Sequence, residues 1–243
     1  MYLIEIGAAV AGTIYLRRSN SPAPYSWLFV WYLWMVVVVE IIGFYPAFNF
    51  FTDFAYMPFV KDTVFERNSW LYNIFSIVNF VIYYIFFIAQ LQNQKSKRIL
   101  KGIFVFFTFT TILNLLMTDV FFQRTSSYTY ITGTFILLIL IFIYYFELLK
   151  SDRILYFYKS LVFYISVGLL LWYLTITPLY IYNKYFTSAS PEFVNLHSTI
   201  LRISNFFLYG VYIIAFIFCS PNKRSLPHQL SVVENKMGLK GNR

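Results

Sequence analysis

The residues best placed for chemistry in this chain are polar groups set inside long apolar runs. Tyr72, Ser76, Asn79 and Tyr83 fall at i, i+4, i+7 and i+11, which is one face of a helix. Ser198, Arg202, Asn205 and Tyr209 repeat the same spacing farther along, in the same register. Glu40 stands near the end of another apolar run. Polar groups in hydrocarbon are costly, so such faces turn into a bundle, and each group is a functional candidate by default. A single Asn or Ser can also serve only to hydrogen-bond two helices, a contact worth about 0.6–2 kcal/mol. The shared pattern says more than any one member.

Other chemistries leave no trace. The sequence contains no nucleophile–base pair, metal-ligand spacing or phosphate loop. Two histidines and one cysteine are too few for a metal centre, and Cys219 reads as a packing residue. A retinal protein needs a lysine in the middle of its last helix, and residues 196–220 hold none. The expectation is a non-enzyme without a cofactor.

The elements that must position these groups are spanning helices. The chain has 243 residues, 59% of them hydrophobic and only 12% charged, with a mean hydropathy of +0.64. Soluble domains carry about 25% charged residues, so the balance points to an all-α protein in a bilayer. A spanning helix needs about 20 apolar residues. Seven runs serve, at about 1–16, 26–45, 70–91, 99–117, 129–149, 155–180 and 196–220. The first is short, and Arg17 and Arg18 follow its apolar stretch where a cleaved signal would place them before it. Its Gly7, Ala8, Ala11 and Gly12 have the small-residue spacing of close helix packing. Residues 1–220 thus read as one seven-helix domain. Residues 46–69 read as the longest outer loop, and 221–243 as a polar, disordered cytoplasmic tail.

Charge sets the expected orientation. With the N-terminus outside and the C-terminus in the cytoplasm, the inner segments hold Arg17, Arg18, Lys95, Lys97, Arg98, Lys101, Lys150, Arg153, Lys159 and the basic tail. Only Lys61, Arg67, Arg124, Lys184 and Arg202 of the 19 lysines and arginines fall elsewhere. This is the positive-inside asymmetry, and it suits the inner membrane of a cell. It accounts for the +9 net charge through the anionic leaflet, with no nucleic acid required.

In that frame Arg202 lies about 9 Å below the outer boundary by helical rise, and Glu40 at a similar depth. A lone charge there is expensive, so a Glu40–Arg202 ion pair is expected. It reads equally as part of a ligand site or as a pair that only fixes packing. Glu5, Asn114, Asp119 and His197 also fall in the outer half, and the inner half is almost purely apolar. The expected site is an outward-facing polar cavity lined by Glu40, Asn79, Arg202 and Asn205, with Tyr83 and Tyr209 on the same faces. Sliding the third run onto the seventh pairs Ile74 with Ile200, Ile77 with Ile203, Asn79 with Asn205, Phe80 with Phe206 and Tyr83 with Tyr209. The same offset pairs Gly7 with Gly133, so the chain reads as a 3+1+3 internal repeat.

The strings NSWLYNIFSIVNFVIYYIFF, YYFELLKSD, FYISVGLLLWYL and LHSTILRISNFFLYGVYIIAF resemble successive helices of a family of bacterial seven-helix membrane proteins. That resemblance spans nearly the whole chain and brings no catalytic residues. Because such proteins often accompany sensor histidine kinases, it implies a signalling role beside a cytoplasmic or membrane partner. A weaker likeness, carried by Asn79 and Asn205 and the 3+1+3 layout, is to SWEET and PQ-loop transporters. The Pro-Gln motif and the helix prolines of that group are missing here. Two functions follow as expectations: a membrane sensor with a small-molecule cavity, or a small-solute carrier.

Overall fold

The computed structural model describes residues 2–19, 22–182 and 191–219. Among them every regular element is helical and none is a strand. In chain order these are α1 (Tyr2–Arg18), α2 (Pro24–Gly43), the short α3 (Tyr45–Phe51), α4 (Ser69–Gln90) and α5 (Gln94–Met117). The single turn α6 (Val120–Gln123) follows, then α7 (Ser127–Leu149), α8 (Leu161–Tyr182) and α9 (Pro191–Phe218). Among the described residues six stretches are long and apolar enough to cross a membrane: the α2–α3 run Pro24–Phe51, then α4, α5, α7, α8 and α9. The protein is accordingly an integral, multi-pass membrane protein. The seventh expected run, α1, has 17 residues. By helical rise that is about 26 Å, a little less than a typical hydrocarbon core.

α1 packs on α2 and α9, α2 on α4, α4 on α7, α7 on α8, and α8 on α9. Those contacts close a circuit of six helices, with α5 leaning on α4 and α7 from outside it. Close approach depends on small residues where the pattern anticipates them. A Cβ on Gly12 of α1 would lie 2.8 Å from Val30 and 3.0 Å from Phe216, and Ala8 and Ala9 are fully buried. Gly133 of α7 does the same for α4, since a Cβ there would come within 2.6 Å of the Phe80 ring.

The two ends of the bundle are held differently. At one, here the Glu40 end, side-chain amides tie down the connections. The Asn68 amide donates to the Gly43 carbonyl at 2.7 Å. Asn73 is buried; its amide donates to the carbonyls of Phe121 (2.9 Å) and Arg124 (3.0 Å), and its oxygen accepts from the Ser126 N–H at 2.8 Å. At the other, the Glu147 end, that carboxylate accepts from the backbone N–H groups of Gln92 and Asn93, where α4 turns into α5.

Several boundaries differ from the sequence reading. The sixth run was expected as one helix over 155–180. Residues Asp152–Lys159 instead form a separate 3-10 segment, kinked at Tyr156, and α8 starts at Leu161. Asp152, Arg153 and Lys159 make that segment too polar to continue a span. α5 starts at Gln94 and not at 99, because the Asn93 side chain caps it by accepting from the Lys95 N–H at 2.9 Å. α9 starts at Pro191 and not at 196. Pro178 lies inside α8 and does not end it. The loop after α2 opens with α3 before turning through Pro58–Val60. The expected tail, 221–243, lies outside the described residues.

Candidate functional site

α2 presents Tyr32, Val36 and Glu40 at i, i+4 and i+8, one stripe ending in a carboxylate. α4 presents Tyr72, Phe75, Ser76, Asn79 and Tyr83 toward the same space, and α9 presents Leu201, Asn205, Leu208 and Tyr209. Tyr130 of α7 and Trp172, Tyr173 and Tyr180 of α8 complete it. Together they surround a cavity of about 300 Å³ at the Glu40 end. That is the lower limit of the range of about 300–1,000 Å³ usual for small-molecule sites.

Five of the six expected residues meet here: Glu40, Asn79, Tyr83, Asn205 and Tyr209. The sixth does not. Arg202 is exposed, and its guanidinium turns back along its own helix to the Ser198 carbonyl (3.4 Å) and hydroxyl (3.5 Å). Glu40 accepts instead from the Tyr72 hydroxyl at 3.3 Å. The expected Glu40–Arg202 ion pair therefore does not form. The reason is angular. The lining stripe of α9 runs through Leu201, Asn205 and Leu208, and one further residue along a helix rotates the side chain by about 100°. Three pairs of equivalent positions in the two aligned runs, Phe75 and Leu201, Asn79 and Asn205, Tyr83 and Tyr209, face the cavity, whereas Ser76 does and its equivalent Arg202 does not.

Asn79 sits at the centre of a hydrogen-bonded floor. Its oxygen accepts from the Tyr32 hydroxyl at 2.6 Å and its amide donates to the Tyr173 hydroxyl at 3.1 Å. Tyr32 and Tyr83 share a hydrogen bond of 2.8 Å, and Tyr83 reaches Tyr212 at 3.4 Å. Across the cavity, the Trp172 indole N–H donates to the Asn205 oxygen at 2.7 Å. Tyr130 and Tyr180 stack with centroids 3.6 Å apart.

Beneath this floor the bundle is packed with rings. Phe29 is fully buried and meets Tyr212 edge-on at 5.0 Å, Phe86 at 5.3 Å and Phe216 at 6.2 Å. The Glu147 end has no polar counterpart of the cavity among the described residues.

Glu5 of α1 adds a second carboxylate. It is only 2% exposed, its Oε2 has no hydrogen-bond partner, and its helix packs on α2, which carries Glu40. No cluster among the described residues has the composition of a metal site. The sequence reading missed Tyr32, Trp172, Tyr173, Tyr130 and Tyr180. Their signal was the i, i+4, i+8 stripe of α2 and the Trp172–Tyr173–Tyr180 spacing of α8, hidden in a chain with 22 tyrosines and 29 phenylalanines.

Compared with family models, with curated proteins and with solved structures, the chain gives no match.

Proposed function

We propose that this protein is a seven-crossing membrane sensor in which a cavity facing outward binds a small molecule and the inner face signals to a partner such as a sensor kinase. In this reading α1 is the seventh crossing, Tyr2 and Glu40 lie toward the outside, and the basic connections lie in the cytoplasm. The observation that carries it is the asymmetry of the bundle. A lined cavity of about 300 Å³ occupies one end, and a plug of buried rings around Phe29 occupies the other. Such a shape suits binding without passage. Signalling would run from the ligand through the Asn79 network to α4 and α9, whose ends at Gln90 and Phe218 lie on the inner side.

A second reading, the small-solute carrier, is favoured by one observation. Asn79 and Asn205 occupy equivalent places in the aligned runs and line one cavity, as a 3+1+3 carrier with alternating access would require.

Two experiments test these readings. With Cys219 replaced by serine, a membrane-impermeant maleimide applied to intact cells should label Asp62→Cys and not Gln94→Cys. The opposite result reverses the orientation. For function, co-purification of a histidine kinase with the full chain, lost on deleting residues 221–243, supports the sensor. Saturable solute flux into proteoliposomes, abolished by Asn79→Ala, replaces it with the carrier.

A further inference from the structure

The chemistry of the cavity walls narrows what it recognises. We propose that it binds a small organic cation, an alkylated or quaternary ammonium group held by tyrosine rings and by Glu40. This inference rests on the ligand-cavity reading above and names its ligand class.

The first argument is the composition of the wall. Seven of the described lining residues are tyrosines, contributed by five helices, and Trp172 and Phe75 join them. Aromatic rings carry a negative face that attracts cations, most strongly where water is excluded, and cages of such rings are a recurring way to hold quaternary ammonium groups.

The second is formal charge. Glu40 is the one ionisable acid on the described wall, and no lysine, arginine or histidine stands beside it. Arg202, the expected countercharge, is exposed and turned to Ser198. Glu5, buried and with Oε2 unpartnered, puts a second carboxylate on the helix packed against α2. Two acids in a poorly solvated region favour a positive guest.

The third is the state of the donors. An anion would need free N–H or O–H groups directed at it. Here the Asn79 amide is engaged by Tyr173, the Trp172 indole by Asn205, and the Tyr72 hydroxyl by Glu40. The Tyr32 and Tyr83 hydroxyls belong to the floor network. The Tyr130 hydroxyl has no partner, but with the other named donors engaged in this way the wall offers mainly ring surface and the Glu40 carboxyl.

The test is calorimetric titration of the full chain in mild detergent with choline, with its uncharged isostere 3,3-dimethylbutan-1-ol, and with acetate. Choline should bind saturably, the isostere about tenfold or more weakly, and acetate not at all. Glu40→Gln keeps an acceptor for Tyr72 and should weaken choline by about tenfold, with Glu40→Asp restoring part of the loss. Glu5→Gln should have a smaller effect in the same direction. Equal affinity for choline and its isostere overturns the inference, and this comparison needs no variant. Unchanged choline binding in Glu40→Gln overturns it too. If the alcohol or acetate binds and choline does not, the cavity remains a ligand site and the cation is wrong. If none of the three binds, the cation inference falls, and thermal-shift screening with a wider set of neutral and anionic solutes then decides the ligand-cavity reading separately.

Discussion

The Glu40 end and the Glu147 end of this bundle are built from the same aromatic residue types, yet they do opposite things with them. Around Phe29 the rings pack on one another, Tyr212 edge-on and Phe86 and Phe216 tilted, and of these three only Tyr212 carries a hydroxyl, which reaches Tyr83. Around Asn79 they carry hydroxyls, and those of Tyr32, Tyr83 and Tyr173 are tied into one hydrogen-bond network beside the cavity. The lesson concerns the tyrosine oxygen. Phenylalanine in hydrocarbon packs wherever shape allows, whereas tyrosine must first find a hydrogen-bond partner, and that demand props open a cavity.

The comparison breaks most readily at its packed end. Phe29→Ala should cost about 3–5 kcal/mol, read as a large drop in the thermal midpoint in detergent, because it removes a fully buried ring with four ring neighbours. A small effect would mean that the plug is not close-packed. Next in size is Asn73→Ala, which strips the α5–α7 turn of its backbone contacts. A loss of about 1–3 kcal/mol is expected, with faster proteolysis near Arg124. Tyr32→Phe should cost only about 0.6 kcal/mol, as interhelical hydrogen bonds in membranes do on average, while visibly altering ligand binding. If it destabilises as much as Phe29→Ala, the two ends are equally rigid and the contrast is lost. Smallest of all is Arg202→Gln, expected to lie within about 0.5 kcal/mol of the parent with binding unchanged, since its side chain is exposed. A large loss there would restore the ion pair that the geometry denies.

Much of the site was legible in the chain. Glu40, Asn79, Tyr83, Asn205 and Tyr209 were found because polar residues at helical spacing in apolar runs must face inward, and the energy that forces this is large. Arg202 was misplaced because a long side chain is free to turn back along its own helix, here to Ser198, and a stripe drawn through Ser198 and Arg202 misses the true one by a single residue. Tyr173 went unread because tyrosine is abundant throughout the chain, so abundance concealed position.

The sequence by itself determined that the chain is helical and membrane-embedded, where several of its spans begin and end, and that small residues of α1, Ala8 and Gly12 among them, pack closely. Those properties depend on local composition and on solvent, which each segment meets on its own. Only the tertiary structure decided that Glu40 pairs with Tyr72, that five helices pool their tyrosines around one space, and that buried rings pack around Phe29 below it. Contacts between helices depend on the rotation of each about its axis, where one residue's shift is about 100°, and hydropathy is nearly blind to that angle.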